Sequence, residues 1–247
     1  MKGERLDERV VREGLAPSRS AAQALILAGR VLVDDEPVDK SGTRIAVERV
    51  IRLKGGARRF VSRGGEKLSA ALEDLGFDPA GMRCLDVGAS TGGFTDCLLQ
   101  HGATHVVAID VGHSQMHSSL LLDPRVDVRE RVNARNLTPS DFEAAFDLVV
   151  ADVSFISLEL ILPAIHACAP AAELLLLVKP QFEVGREQVG KGGVVRDDAL
   201  REAAANRVVE AACAPGRREK GRVESRVPGP KGNREIFVWI SAEEVEE

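Results

Sequence analysis

The spacing of apolar positions changes along the chain, and the changes mark out its elements. Leu6, Val10, Val11 and Leu15 fall at helical spacing until Gly14 and Pro17 end the pattern. Ser18 is placed to cap a second helix over 19–28, with Gly29 just past its end. Val31–Val33, a turn at Asp34-Asp35-Glu36-Pro37 and Val38 predict a hairpin; Ile45, Val47 and 50–53 predict further short strands. Lys54-Gly55-Gly56-Ala57 reads as a basic linker. From about Glu66 the units lengthen. A helix is predicted over 66–75 and strands near 84–87, 105–109, 126–129, 148–151 and 173–178, with helical patterns between most of them. Such alternation predicts an α/β fold with a mostly parallel, Rossmann-like sheet covered on both faces. Segments 222–224 and 236–240 predict a closing hairpin at an antiparallel edge. The expected boundaries are a small α+β domain over 1–57, a linker over 58–63, the α/β domain over 64–242, and a disordered acidic tail over 243–247.

Composition narrows the class. With 44% hydrophobic residues in 247, the chain can fill a core. Its densest apolar run, Leu174 to Val178, falls far short of the roughly 18 residues that span a bilayer. The opening Met1-Lys2-Gly3-Glu4-Arg5 does not read as a secretory leader. Cys84, Cys97, Cys168 and Cys213 show no C-x-x-C spacing, so buried reduced thiols are expected and no metal site. These features predict a soluble cytoplasmic protein with no membrane partner. The net charge of −5 divides unevenly: +4 over residues 1–66 and −9 over the rest. Seven basic residues lie between Arg49 and Lys67 and seven more between Arg217 and Arg234. Either run alone could be a solvated surface; two in an acidic chain favour a polyanionic partner.

The candidate chemistry begins at Cys84-Leu85-Asp86-Val87-Gly88-Ala89-Ser90-Thr91-Gly92-Gly93-Phe94, a short strand running into a glycine turn and a helix. A second apolar run, Val106 to Ile109, ends in Asp110, whose carboxylate can accept hydrogen bonds from a ribose. Ser90 stands where a dinucleotide fingerprint has its middle glycine, which disfavours NAD. The looser turn suits S-adenosylmethionine, with a purely structural turn as the alternative. Asp86, Gly88, Ser90, Thr91, Gly92, Gly93, Phe94, Asp110 and Val111 are the expected cofactor residues. Gly185 to Lys191 matches the first seven positions of a P-loop, but Gly192 stands where Ser or Thr should hold magnesium, and a substrate-side loop is the better reading.

Ligands of an open α/β sheet sit over the carboxyl ends of its strands. The fourth strand ends in Asp152-Val153-Ser154-Phe155, without the prolines usual where an exocyclic amine is methylated, and no cysteine lies near to attack a base carbon. Lys179 ends the fifth strand, Lys67 lies on the helix before the first, and Glu235 precedes the last. Each alone is best read as a surface ion pair. Together, two lysines and two carboxylates suit a hydroxyl acceptor. A lysine serves as base where desolvation and a second ammonium lower its pKa, while Asp152 and Glu235 orient lysine or ribose.

This motif set resembles the FtsJ-like ribose 2′-O-methyltransferases, whose Lys-Asp-Lys-Glu tetrad matches Lys67, Asp152, Lys179 and Glu235. Arg5-Leu6-Asp7, 14–20 and 28–33 are similar to the RNA-binding domain first seen in ribosomal protein S-four. With Ser62 to Leu68, Lys179 to Glu183 and Val189 to Asp197, the whole resembles the TlyA family. The resemblance implies methylation of cytidine ribose in ribosomal RNA, with intact subunits as substrate. It implies RNA docking through Arg5, Arg19, Arg30, Arg63 and Lys191, a role for Arg58-Arg59-Phe60-Val61, and an adenine contact at Asn133. Phe60 stands where family members often have Trp, so no indole hydrogen bond is implied. A non-catalytic RNA-binding or assembly factor is the alternative; a membrane-active haemolysin, a label this family has carried, is the weaker third reading.

Overall fold

Leu6 and Val10 on one predicted helix and Ala22 and Ile26 on the next meet Val31, Val33, Ile51 and Leu53 in a single apolar cluster. These residues belong to the first of two units, Met1–Arg58 and Arg59–Glu247. The computed structural model describes residues 3–54, 59–213 and 216–242. Arg58, most of the predicted glycine linker and the acidic tail lie outside the described residues.

The first unit comprises β1 (Glu4–Arg5), α1 (Leu6–Arg12), α2 (Arg19–Leu27), β2 (Val31–Val33), β3 (Glu36–Pro37), β4 (Arg44–Ile45) and β5 (Ile51–Leu53). Ser18 caps α2 by accepting from the Ala21 amide at 3.2 Å. The turn between β2 and β3 needs only Asp34 and Asp35, both with positive φ (48° and 72°), the two-residue geometry that matches strand twist. Val47 is exposed in a turn and forms no strand, and β1 pairs with β4, a two-residue ladder too short for periodicity to reveal.

The second unit comprises α3 (Arg63–Leu75), β6 (Arg83–Val87), α4 (Gly93–Gln100), β7 (His105–Asp110), α5 (Ser118–Leu121), β8 (Val126–Glu130), β9 (Leu148–Ala151), α6 (Leu162–Cys168), β10 (Glu173–Val178), α7 (Pro180–Glu183), α8 (Asp198–Cys213), β11 (Arg217–Glu224) and β12 (Ile236–Ala242). Its sheet runs β11-β12-β10-β9-β6-β7-β8, parallel from β10 to β8, with β12 and β11 added antiparallel. The predicted hairpin is therefore present, with β11 starting five residues earlier than expected. Alternation splits each central strand between two cores: Leu174, Leu176 and Val178 face one, Leu175 and Leu177 the other. Burial of each such side chain contributes roughly 1.5–3 kcal/mol over exposure. The winding reverses between β9, β6 and β7, so the carboxyl ends of these strands open the crevice where a ligand can enter.

Candidate active site

β6 gives way to a turn at Gly88, whose φ is +85°. A Cβ there would lie 2.8 Å from the Asp152 carbonyl oxygen, so only glycine lets the turn pass the end of β9. Ser90, the residue that set this turn apart from a dinucleotide loop, is itself left-handed, with φ +49°. Its amide donates to Asp110 Oδ2 at 2.8 Å, and the Gly112 amide donates to Asp110 Oδ1 at 2.7 Å. One carboxylate thus ties the glycine turn to the end of β7. Each of its oxygens keeps acceptor capacity for a ribose hydroxyl. Above this turn opens a cavity of about 510 Å³, with Ser90, Asp110 and Asn133 on its polar side and Val111, Val132, Ile156 and Ile161 as apolar wall. Asn133 Oδ1 accepts from the Arg135 amide at 3.1 Å, which fixes the side chain at the cavity edge.

A second cavity, about 270 Å³, adjoins the first, and Gly88, Ser90, Asp152 and Ser154 line both. Lys67 and Lys179 line the second, each only 7% exposed. Lys67 Nζ donates to Oε2 of the fully buried Glu235 at 2.5 Å. Lys179 Nζ stands 2.5 Å from Asp152 Oδ1, an ion pair off the direction of a hydrogen bond; its directed bond goes to Ser154 Oγ at 2.8 Å. Glu235 Oε1 and Asp152 Oδ1 have no hydrogen-bond partner among the described residues.

Local sequence explains how four distant residues gather here, Lys67, Asp152 and Lys179 in the lining and Glu235 behind Lys67. Ser62 caps α3, and Gly64-Gly65 lets its first turn approach α4: a Cβ on Gly65 would lie 2.8 Å from the Gly93 oxygen and 2.4 Å from the Phe60 ring. That approach brings Lys67, one turn on, over the strand ends. Lys179 is the first residue after β10, and Pro180 starts α7 directly behind it, where its missing N–H costs nothing. Glu235 leads into β12 beneath Gly229, where a Cβ would stand 2.1 Å from Oε1.

The predicted cofactor residues divide. Gly88, Ser90, Asp110, Val111 and Asn133 line the larger cavity; Thr91, Gly93 and Phe94 line the smaller. Gly92 and Asp86 line neither. Gly92 lies against α5, its position for a Cβ filled by Leu120 and Met116. Asp86 is fully buried below the turn, where Thr95 Oγ1 donates to it at 2.6 Å. Burial pushes its carboxyl up to about 7, with Asp152 and Asp110 adding to the shift and the Thr95 hydrogen bond opposing it.

The expected RNA residues divide too. Arg5 and Arg19 both bind the buried carboxylate of Asp7, each through Nε at 3.0 Å, while Arg5 stays half-buried and Arg19 exposed. Arg30 is half-buried. Phe60 is 3% exposed in the core of the second unit, so its ring offers no face to a base; the Arg59 guanidinium covers it at 4.8 Å. Arg63 is exposed at the smaller cavity, with Nη2 donating to the Pro228 oxygen at 2.9 Å. Lys191 is exposed at the tip of a hairpin closed by the Gly190–Val194 bridge. The basic run over 217–234 does not act as one patch. Arg217 is buried against the Ala169, Pro170 and Ala172 carbonyls, and Arg222, Arg226 and Arg234 pair with carboxylates. The P-loop-like stretch follows α7 instead of a strand, which agrees with the loop reading. Sequence reasoning missed Ser154, which bonds Lys179, and Gln115, whose Oε1 accepts from Ser90 Oγ at 3.0 Å. The one signal for Ser154 was its place two residues beyond Asp152.

Residues 60–242 match the FtsJ-like methyltransferase family and residues 4–51 match the S4 domain. The chain is 50% identical over 238 residues to the 16S/23S rRNA (cytidine-2′-O)-methyltransferase TlyA of Mycobacterium tuberculosis, covering 96% of this chain and 89% of that protein. Hemolysin A of Brachyspira hyodysenteriae is 44% identical over 239 residues, covering 94% of this chain and 98% of its own length. A solved structure from Streptococcus thermophilus, described as a candidate hemolysin, is 40% identical with a TM-score of 0.75, covering 99% of this chain and 90% of that one. With a methyltransferase sheet, a glycine turn tied to Asp110 and matches over nearly its whole length, the chain belongs to the FtsJ-like methyltransferases, in the TlyA group that carries an S4 domain.

Proposed function

We propose that this enzyme methylates the ribose 2′-hydroxyl of a cytidine in ribosomal RNA, presented within a ribosomal subunit, with S-adenosylmethionine as donor. One observation carries the reading: two buried lysines, each against a carboxylate, line a small cavity that shares Asp152 and Ser154 with a larger cavity of cofactor type. The larger cavity fits the donor. Asp110 faces ribose hydroxyls, the apolar wall of Val111, Ile156 and Ile161 suits adenine, and Gly88 lines the floor of the cavity. When bound there, S-adenosylmethionine supplies a methyl group made electrophilic by its sulfonium.

The acceptor hydroxyl must lose a proton as its oxygen gains the methyl. Lys179, in the smaller cavity beside the shared Asp152 and Ser154, receives that proton on Nζ, and Asp152 balances the ammonium that forms. The Lys67–Glu235 pair keeps a second cation in the same cavity to hold the ribose oxygens. The exposed Arg63 and Lys191 meet backbone phosphates, so binding weakens steeply with salt. No helix among the described residues is long and apolar enough to cross a membrane.

The test is Lys179→Ala. Methyl transfer should fall about a thousandfold, while calorimetric affinity for S-adenosylmethionine stays within about twofold, because Lys179 does not line the larger cavity. Turnover within about tenfold of the parent would remove Lys179 from the chemistry.

A further inference from the structure

We propose that Ser154 is a positioning residue for methyl transfer, fixing the rotation of the Lys179 amine as it takes up the acceptor's proton. The inference rests on Lys179 being that proton's destination. Nζ rotates freely about its bond to Cε, and a neighbouring negative charge restrains its position more than its rotation. Asp152 acts in this way, with Oδ1 2.5 Å from Nζ but off hydrogen-bond direction. Ser154 Oγ, at 2.8 Å, is the partner whose geometry makes a directed bond. Lys67 differs, because Glu235 supplies both charge and direction through a single oxygen.

The consequence follows from counting the hydrogens on nitrogen. A neutral amine carries two N–H bonds and one lone pair; the ammonium carries three N–H bonds. With one N–H fixed on Ser154 Oγ, the remaining N–H and the lone pair take the other two tetrahedral directions, and the lone pair is left for the acceptor's proton. Ser154 lines both cavities, so it stands at the boundary the methyl must cross. In the proton transfer the hydroxyl O–H bond breaks, the new N–H bond forms on Nζ, and the charge that develops there strengthens the bond to Ser154 Oγ. The interaction is therefore stronger in the transition state than before it, and its loss lowers kcat more than it raises KM. The other charged groups that line this cavity are Asp152 from the end of β9 and, from α3, Arg63 and Lys67, the latter paired with the buried Glu235 behind it.

Steady-state kinetics on ribosomal subunits test this with Ser154→Ala and Ser154→Thr. Ser154→Ala should lower kcat about tenfold with KM for RNA and affinity for S-adenosylmethionine within about twofold. Ser154→Thr, which keeps the hydroxyl, should recover most of the rate. Added to Lys179→Ala, Ser154→Ala should cost nothing further. Equal loss in the Ala and Thr variants, an unchanged kcat in Ser154→Ala, or a loss confined to KM would overturn the positioning role. An active Lys179→Ala enzyme instead sinks the underlying assignment of the base, whatever Ser154 does, so the two failures are distinct.

Discussion

Two clusters of buried charge, one in each unit, are built alike and finished differently. In the first unit Asp7 is fully buried, and every face of its carboxylate is used. Oδ1 accepts from Arg5 and the Glu8 amide, and Oδ2 from Arg5, Arg19 and Gln23, all at 2.9–3.0 Å. In the second unit the acids facing Lys67 and Lys179, Glu235 fully buried and Asp152 half-buried, are less completely used: Glu235 Oε1 and Asp152 Oδ1 lack hydrogen-bond partners among the described residues. A closed cluster holds a fold together. The second, open cluster keeps polar atoms under-satisfied beside a cleft of ligand size, a pattern of functional sites and not of structural ion pairs. Arg5 and Arg19, two of the arginines expected to meet RNA, belong to the closed cluster, and the residues expected to do chemistry form the open one.

The strongest way to break this comparison is Glu235→Gln. It preserves shape but removes the counter-charge of a buried ammonium, and methyl transfer to ribosomal subunits should drop by about a hundredfold or more. Activity within fivefold of the parent would mean the open cluster is as structural as the closed one.

Asp7→Asn probes the other side with a smaller effect. The Arg5 hydrogen bond, opposed by burial and reinforced by Gln23 and Arg19, holds the Asp7 carboxyl well below the usual carboxylate range. A depressed folded-state pKa contributes stability that is fully present above the unfolded value near 4 and is lost as pH falls below it. The variant should lose about 2 kcal/mol in denaturant unfolding at pH 7 and show a flatter acid limb than the parent. Parental stability at pH 7 would show that the closed cluster does not support the fold.

Local chemistry made much of this legible in the chain. The glycine turn, the acid ending β7 and the strand-end lysine are each written in a few adjacent residues, and the parallel order followed from alternation. What stayed hidden depends on contacts across the fold. Asp7 gives no local sign that it will be buried and bonded by two arginines, and Phe60 in a basic stretch reads as exposed until Gly65 and the α3–α4 crossing enclose it. The basic run over 217–234 looks continuous because a charge count ignores that alternate strand positions point apart. Arg217 turns in toward the carbonyls after α6, while Arg222 and Arg226 pair with acids brought from elsewhere in the chain. Asp86 looks like a ligand residue by position, yet its side chain points into the protein to meet Thr95.

The central claim is that the open cluster delivers a methyl group to a ribose oxygen, and locating that methyl tests it most directly. Purified enzyme would be incubated with unmethylated ribosomal subunits and isotopically labelled S-adenosylmethionine, and the RNA digested to nucleosides for mass spectrometry. Label is expected in the ribose fragment of 2′-O-methylcytidine, and none when Lys179→Ala replaces the parent. Label in the base fragment would contradict it.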